Sequence, residues 1–131
     1  MTANGCELLV RIDDGIAHVT LNRPQARNAL TFGMYEELAK LCARAGRADD
    51  ADHIKAIVIA GAGDKAFAAG TDIGQFTDFD STEDGLRYEA KVEAVISQIE
   101  SCHVPVIAAL HGAVTGGGLV IAAAAHVRIA S

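Results

Sequence analysis

Tryptophan is absent and aromatic residues make up only 5% of the 131-residue chain, so large ring-filled core layers are excluded. Ala is abundant and Gly occurs 13 times. Small residues let backbones approach closely, which predicts tight helix–sheet contacts instead of aromatic plugs. Basic residues are also few: 11 Lys and Arg against 17 Asp and Glu give a net charge of −6. That balance argues against general nucleic-acid binding, which needs clustered cations on the phosphates. It leaves room for a small phosphate-bearing ligand held by one local nest.

The cysteines are three, Cys6, Cys42 and Cys102, without a CxxC pair. They read as reduced, mostly buried thiols of a cytoplasmic protein. The five histidines lack metal-ligand spacing, so no metal is expected. No basic segment followed by an apolar run opens the chain, which predicts no signal peptide. The most apolar stretch, Val104 to Val127, is broken by His111, Gly112 and Gly116 to Gly118, so no membrane span is expected. Repeats and low-complexity linkers are missing too.

Half of the residues are hydrophobic, which suits one domain covering residues 1–131. A chain of this size buries roughly two-thirds of its unfolded surface. Glu7 to Arg11 and Ile16 to Leu21, separated by Asp13-Asp14-Gly15, predict a hairpin that Pro24 stops. Thr31 to about Arg47 predicts a helix, with Met34, Leu38, Leu41, Cys42 and Ala45 on one stripe. Glu36 is expected to pair with Lys40 on its wet side, and Arg44 and Arg47 suit its C-terminal end.

Ile54 to Ala60 predicts a buried strand. Ser81 with Asp84 suggests a capping box opening a helix to about Cys102, with Tyr88, Val92, Val95, Ile96 and Ile99 inward. Pro105 to Leu110 is expected as a strand, followed by a short Ala-rich helix and a strand from His126 to Ala130. The order ββα, β, α, β, α, β means α/β with crossovers. The last strand runs almost to Ser131, so the fold is expected to be incomplete at its C-terminus.

Two small-residue loops follow buried strands: Gly61 to Asp72, and His111 to Gly118. Ligands of open α/β sheets sit beyond the carboxyl ends of the strands, where both loops are expected. Consecutive glycines opening a helix expose unpaired N–H groups with the positive dipole end behind them. Such a turn accepts a phosphate, a carboxylate or a developing oxyanion. Gly61-Ala62-Gly63-Asp64-Lys65-Ala66 also matches GxGxxA, so a dinucleotide-binding module is a rival reading. Gly70 interrupts any helix starting there, and no strand ends in an acid about 20 residues on.

Leu21-Asn22-Arg23-Pro24 with Asn28-Ala29-Leu30 resembles the first signature of the crotonase superfamily, the enoyl-CoA hydratase/isomerase enzymes. Ala66-Phe67-Ala68-Ala69-Gly70-Thr71-Asp72-Ile73 resembles the second. Pro105 to Gly112, running into Gly116-Gly117-Gly118, resembles the third. The resemblance implies the N-terminal part of a crotonase-like spiral of ββα turns that binds acyl-CoA. It implies backbone N–H donors at Thr71 and Gly117 for the thioester oxygen, and CoA contacts at Gln25, Ala26, Ala69, Asp72 and Ile73. CoA would enter as part of the substrate, with no tightly bound cofactor. A homo-oligomer, trimer or hexamer, is implied through helices that fall beyond Ser131.

Departures from the pattern bear on the reaction. The position of the hydratase acid/base Glu is Val120, which cannot transfer a proton, so double-bond isomerisation or another enolate reaction competes with hydration. The family's second acidic position falls beyond Ser131. A catalytically silent acyl-CoA-binding or scaffold protein is therefore the alternative from a different class. His126 stands where the family has Asp and is expected to be an edge or partly buried residue. His111 is expected to bond within its own turn. Arg27, Asp64, Asp78 and Asp80 read as solvated.

Overall fold

The computed structural model describes residues 7–71 and 82–131. Strands β1 (Leu8–Asp13) and β2 (Ile16–Leu21) pair antiparallel from Leu8 opposite Leu21 to Asp13 opposite Ile16. Asp14 and Gly15 at the tip both have positive φ, 53° and 79°. A two-residue turn of that kind matches the twist of the flanking strands. Parallel strands then add β3 (Ala56–Gly61), β5 (Val106–Leu110) and β7 (Val127–Ala130), giving the sheet order β1-β2-β3-β5-β7.

Side chains alternate along β2, β3 and β5. Ala17, Val19, Leu21, Ile57, Ile59, Val106 and Ala108 point into the core, while their neighbours stay partly exposed. Helix α1 (Phe32–Arg44) lays Met34, Tyr35, Leu38, Leu41 and Cys42 into the same core. Thr31 starts it: its hydroxyl accepts the Met34 N–H at 3.2 Å and donates to Glu7 at 2.8 Å. The helix ends at Arg44, earlier than the expected Arg47. Gly46 turns left-handed at φ 78°, and Arg44 reaches forward to the carboxylates of Asp50 and Asp52.

Helix α2 (Thr82–Glu100) packs on α1, with Val95 and Ile99 buried and Tyr88, Val92 and Ile96 partly so. Glu36 pairs with Lys91 of α2 at 2.6 Å instead of the expected Lys40, because α2 brings a second cation to that face. Cys42 is buried and Cys102 partly buried, both as free thiols. Ser81 of the expected capping box, the Asp84 side chain, Cys6, Asp78 and Asp80 lie outside what is described.

Two segments expected as loops form short strands. Strand β4 (Ala66–Ala69) pairs in parallel with β6 (Ala113–Thr115), with a register irregularity between Ala66 and Ala68. Four and three residues carry too little periodicity to announce a strand. Helix α3 (Gly117–Ala124) follows β6. The GxGxxA segment therefore runs into a strand, not a helix, which removes the geometry a dinucleotide module needs. No described helix is long and apolar enough to cross a membrane.

Candidate functional site

Both glycine loops leave the carboxyl ends of neighbouring parallel strands, β3 and β5. A buried amide ties the first of them down. Asn28, fully buried at φ 58°, donates to the Ala62 and Ala66 carbonyls at 2.9 and 2.8 Å and accepts the Arg23 N–H at 2.9 Å. Backbone bonds continue the join: Ala69 N–H to Arg27 O at 3.0 Å, and Leu30 N–H to Gly70 O at 2.9 Å. Gln25 and Ala26, in a 3₁₀ turn over Pro24–Ala26, immediately precede Arg27, whose carbonyl accepts the Ala69 N–H. Asp72 and Ile73, the other expected CoA contacts, lie outside the described residues. Arg27 is exposed, as its solvated reading requires.

The second loop is pressed onto the first. Gly116 caps α3 at φ 53°, a left-handed conformation that disfavours any side chain, and a Cβ there would come within 2.9 Å of Gly70 Cα. A Cβ on Gly117 would strike the Tyr35 hydroxyl and sit 2.8 Å from Thr71 Oγ1, and one on Gly118 would strike the Ala68 carbonyl. The fold therefore brings Thr71 and Gly117 side by side. Among the described residues, no backbone carbonyl accepts the N–H of either. An amide at a helix start, as at Gly117, in a site lined by small residues, suits an anionic oxygen.

Hydroxyls accompany the amides. Thr71 Oγ1 lies 2.8 Å from the Tyr35 hydroxyl and 3.1 Å from that of Tyr88. Burial pushes the Tyr35 pKa up to about 12, the Thr71 hydrogen bond partly opposing it, so the phenol stays neutral. Sequence reasoning missed Tyr35 altogether and read Tyr88 only as part of an apolar stripe. A signal existed: a phenol beside Met34 and Leu38 on a buried stripe needs a polar partner.

Two histidines act as ties between segments. His111 Nε2 contacts Gly63 O at 2.9 Å, joining the two loops instead of bonding within its own turn as expected. His126 Nδ1 accepts the Val106 N–H at 3.0 Å and its Nε2 meets Glu100 O at 3.1 Å, so an exposed edge ring bridges β5 and α2. Val120 sits half-buried in the first turn of α3, its N–H bonded to Gly116 O. A groove of about 890 Å³ runs beside β1 and α1, lined among others by Leu9, Arg11, His18 and Lys40. Neither glycine loop contributes to it.

Residues 11–131 match the family model described as enoyl-CoA hydratase/isomerase. The chain belongs to that family. Among its relatives, "Probable enoyl-CoA hydratase" of Bacillus subtilis (strain 168) is 38% identical over 120 residues, 92% of this chain and 45% of that protein. "Short-chain-enoyl-CoA hydratase" of Clostridium acetobutylicum is 35% identical over 116 residues, 88% of this chain and 43% of that protein. The crystal structure of enoyl-CoA hydratase from Mycobacterium smegmatis superposes with a TM-score of 0.83 at 34% identity, covering 95% of this chain and 46% of that one. This member of the crotonase superfamily thus spans a little under half the length of these three proteins, with the α/β fold of the solved one.

Proposed function

We propose that the chain binds acyl-CoA and supplies the enolate-stabilising part of an enoyl-CoA hydratase/isomerase-type site. The N–H groups of Thr71 and Gly117 donate to the thioester oxygen. Proton removal next to a thioester moves negative charge onto that oxygen, and fixed donors stabilise it as it forms. One observation carries the reading: the Gly70–Thr71 loop and the Gly116–Gly117 turn touch, and both amides are free of backbone carbonyls among the described residues. CoA lies along Gln25, Ala26 and Ala69, with Asp72 and Ile73 completing its contacts. It arrives as part of the substrate, and no cofactor is held tightly.

Val120 bears on the reaction type. A hydrocarbon at that position neither moves a proton nor orients water, which favours isomerisation or another enolate reaction over hydration by two paired carboxylates. The working assembly is a cytoplasmic homo-oligomer, a trimer or hexamer. Free thiols at Cys42 and Cys102 suit that reducing compartment. The same valine favours a second reading, an acyl-CoA binder without turnover.

Titration with CoA and an enoyl-CoA, alongside turnover of 2-enoyl- and 3-enoyl-CoA, separates the readings. Binding with turnover supports the enzyme, binding alone supports the silent protein, and no CoA binding removes both. Gly117→Pro would delete the donor but also drive a Cβ into the Tyr35 hydroxyl. An amide-to-ester replacement at residue 117 removes only the N–H and is expected to lower turnover about 100-fold to 1,000-fold. Unchanged turnover would remove Gly117 from the mechanism.

A further inference from the structure

Two phenols from different helices close on a single threonine oxygen beneath the glycine turn. Tyr35 is contributed by α1 and Tyr88 by α2, and both hydroxyls reach Thr71 Oγ1. Each phenol is held by its own surroundings: Tyr35 is 1% exposed, and the Tyr88 ring rests against Phe32 with centroids 5.4 Å apart. The helices carrying them are clamped together by Lys91 and Glu36. Leu or Phe at position 35 would fill an apolar stripe without the cost of burying a hydroxyl. Core packing alone therefore leaves the Tyr35 oxygen unexplained.

Its location supplies the reason. The Tyr35 hydroxyl takes the space where a Gly117 side chain would begin, so one oxygen touches both Thr71 and the turn that opens α3. A hydroxyl can donate one bond and accept two, which lets Thr71 Oγ1 engage both phenols at once. Loops by themselves position donors less well than helices and strands do, and an error of an ångström is costly in catalysis.

We infer that Tyr35 and Tyr88 are positioning residues, whose hydroxyls pin the Thr71 side chain to α1 and α2 and thereby hold the Thr71 amide in fixed register with Gly117. This rests on the proposed reading in which those two amides receive a thioester oxygen. The pair transmits the rigidity of two packed helices to a loop. Being neutral, the Tyr35 phenol does so without placing a competing charge beside the forming oxyanion.

The test uses the full chain as Tyr35→Phe, Tyr88→Phe and, as a shape-conserving partner, Thr71→Val. Backbone ¹⁵N order parameters at Thr71 and Gly117 are read beside turnover of an enoyl-CoA. In the unmodified protein the Thr71 amide is expected near the rigid value of about 0.85, and all three substitutions are expected to drop it toward about 0.6 while β3 stays unchanged. Turnover in the two Phe variants is expected to fall about fivefold to tenfold through kcat with KM held, the kinetic equivalent of one neutral hydrogen bond. A lower Tm with an unaltered Thr71 amide would show a merely structural role and overturn the inference. So would a loosened amide with unchanged kcat. If the unmodified chain binds no CoA and turns nothing over, the proposed function falls by itself, and the order parameters still decide whether the phenols hold Thr71.

Discussion

The five-stranded sheet and the two-stranded β4–β6 layer are held by different means. In the sheet, Val19, Leu21, Ile57, Ile59 and Val106 fill the space beneath the strands with branched side chains. In the layer, backbone meets backbone: the positions beside Gly70, Ala68 and Lys65 admit no Cβ on Gly116, Gly118 or Gly112. A side-chain core loses stability gradually as methylenes are removed. A backbone contact has no slack, because the obstructing atoms belong to a main chain held in place on both sides. The candidate site sits on the second kind, where small residues leave the main chain uncovered.

Adding one methyl to the layer should be the most damaging small change. Gly118→Ala puts a Cβ against the Ala68 carbonyl and is expected to cost about 3 kcal/mol in urea unfolding. A cost below that of trimming the sheet core would break the contrast. Asn28→Ala, which strips the Ala62 and Ala66 carbonyls and the Arg23 N–H of their shared partner, is expected to cost about 2–3 kcal/mol. It should also loosen the loop that carries Thr71, visible as faster amide exchange at Ala69 and Leu30.

Alkaline titration sharpens the contrast from another side. Burial raises the Tyr35 pKa from 10.0 to about 12, so the native state keeps a proton that the unfolded chain releases. The associated stability is complete below pH 10 and is lost as pH rises toward 12, on the order of 2 kcal/mol. Tyr35→Phe should flatten that part of the urea-midpoint profile. In the sheet, Ile59→Val removes one methylene and should cost only about 1 kcal/mol. Glu36→Gln, at an exposed pair with Lys91, should change stability by no more than about 0.5 kcal/mol.

Legibility in the sequence followed the same division. The hairpin, β3, β5 and the three helices were readable because each has a periodic or β-branched apolar run bounded by Gly, Pro or a polar cap. Thr31 and its stripe through Met34, Leu38 and Leu41 are one example. Strands β4 and β6 were not readable: Ala66-Phe67-Ala68-Ala69 and Ala113-Val114-Thr115 are short and small, and only their mutual pairing makes them strands. The partners of Glu36 and His111 were misjudged for a related reason, since the nearest group in sequence was considered before the helix or loop that packing delivers.

By itself the sequence determined the family, the α/β order of elements and the two glycine loops. Those are local properties of composition, spacing and motif. Tertiary structure alone decided that Gly70 lies on Gly116, that Asn28 joins three segments, and that phenols from α1 and α2 meet on Thr71. Contacts between residues 17 to 46 positions apart depend on how helices and strands stack, and no local pattern encodes that stacking.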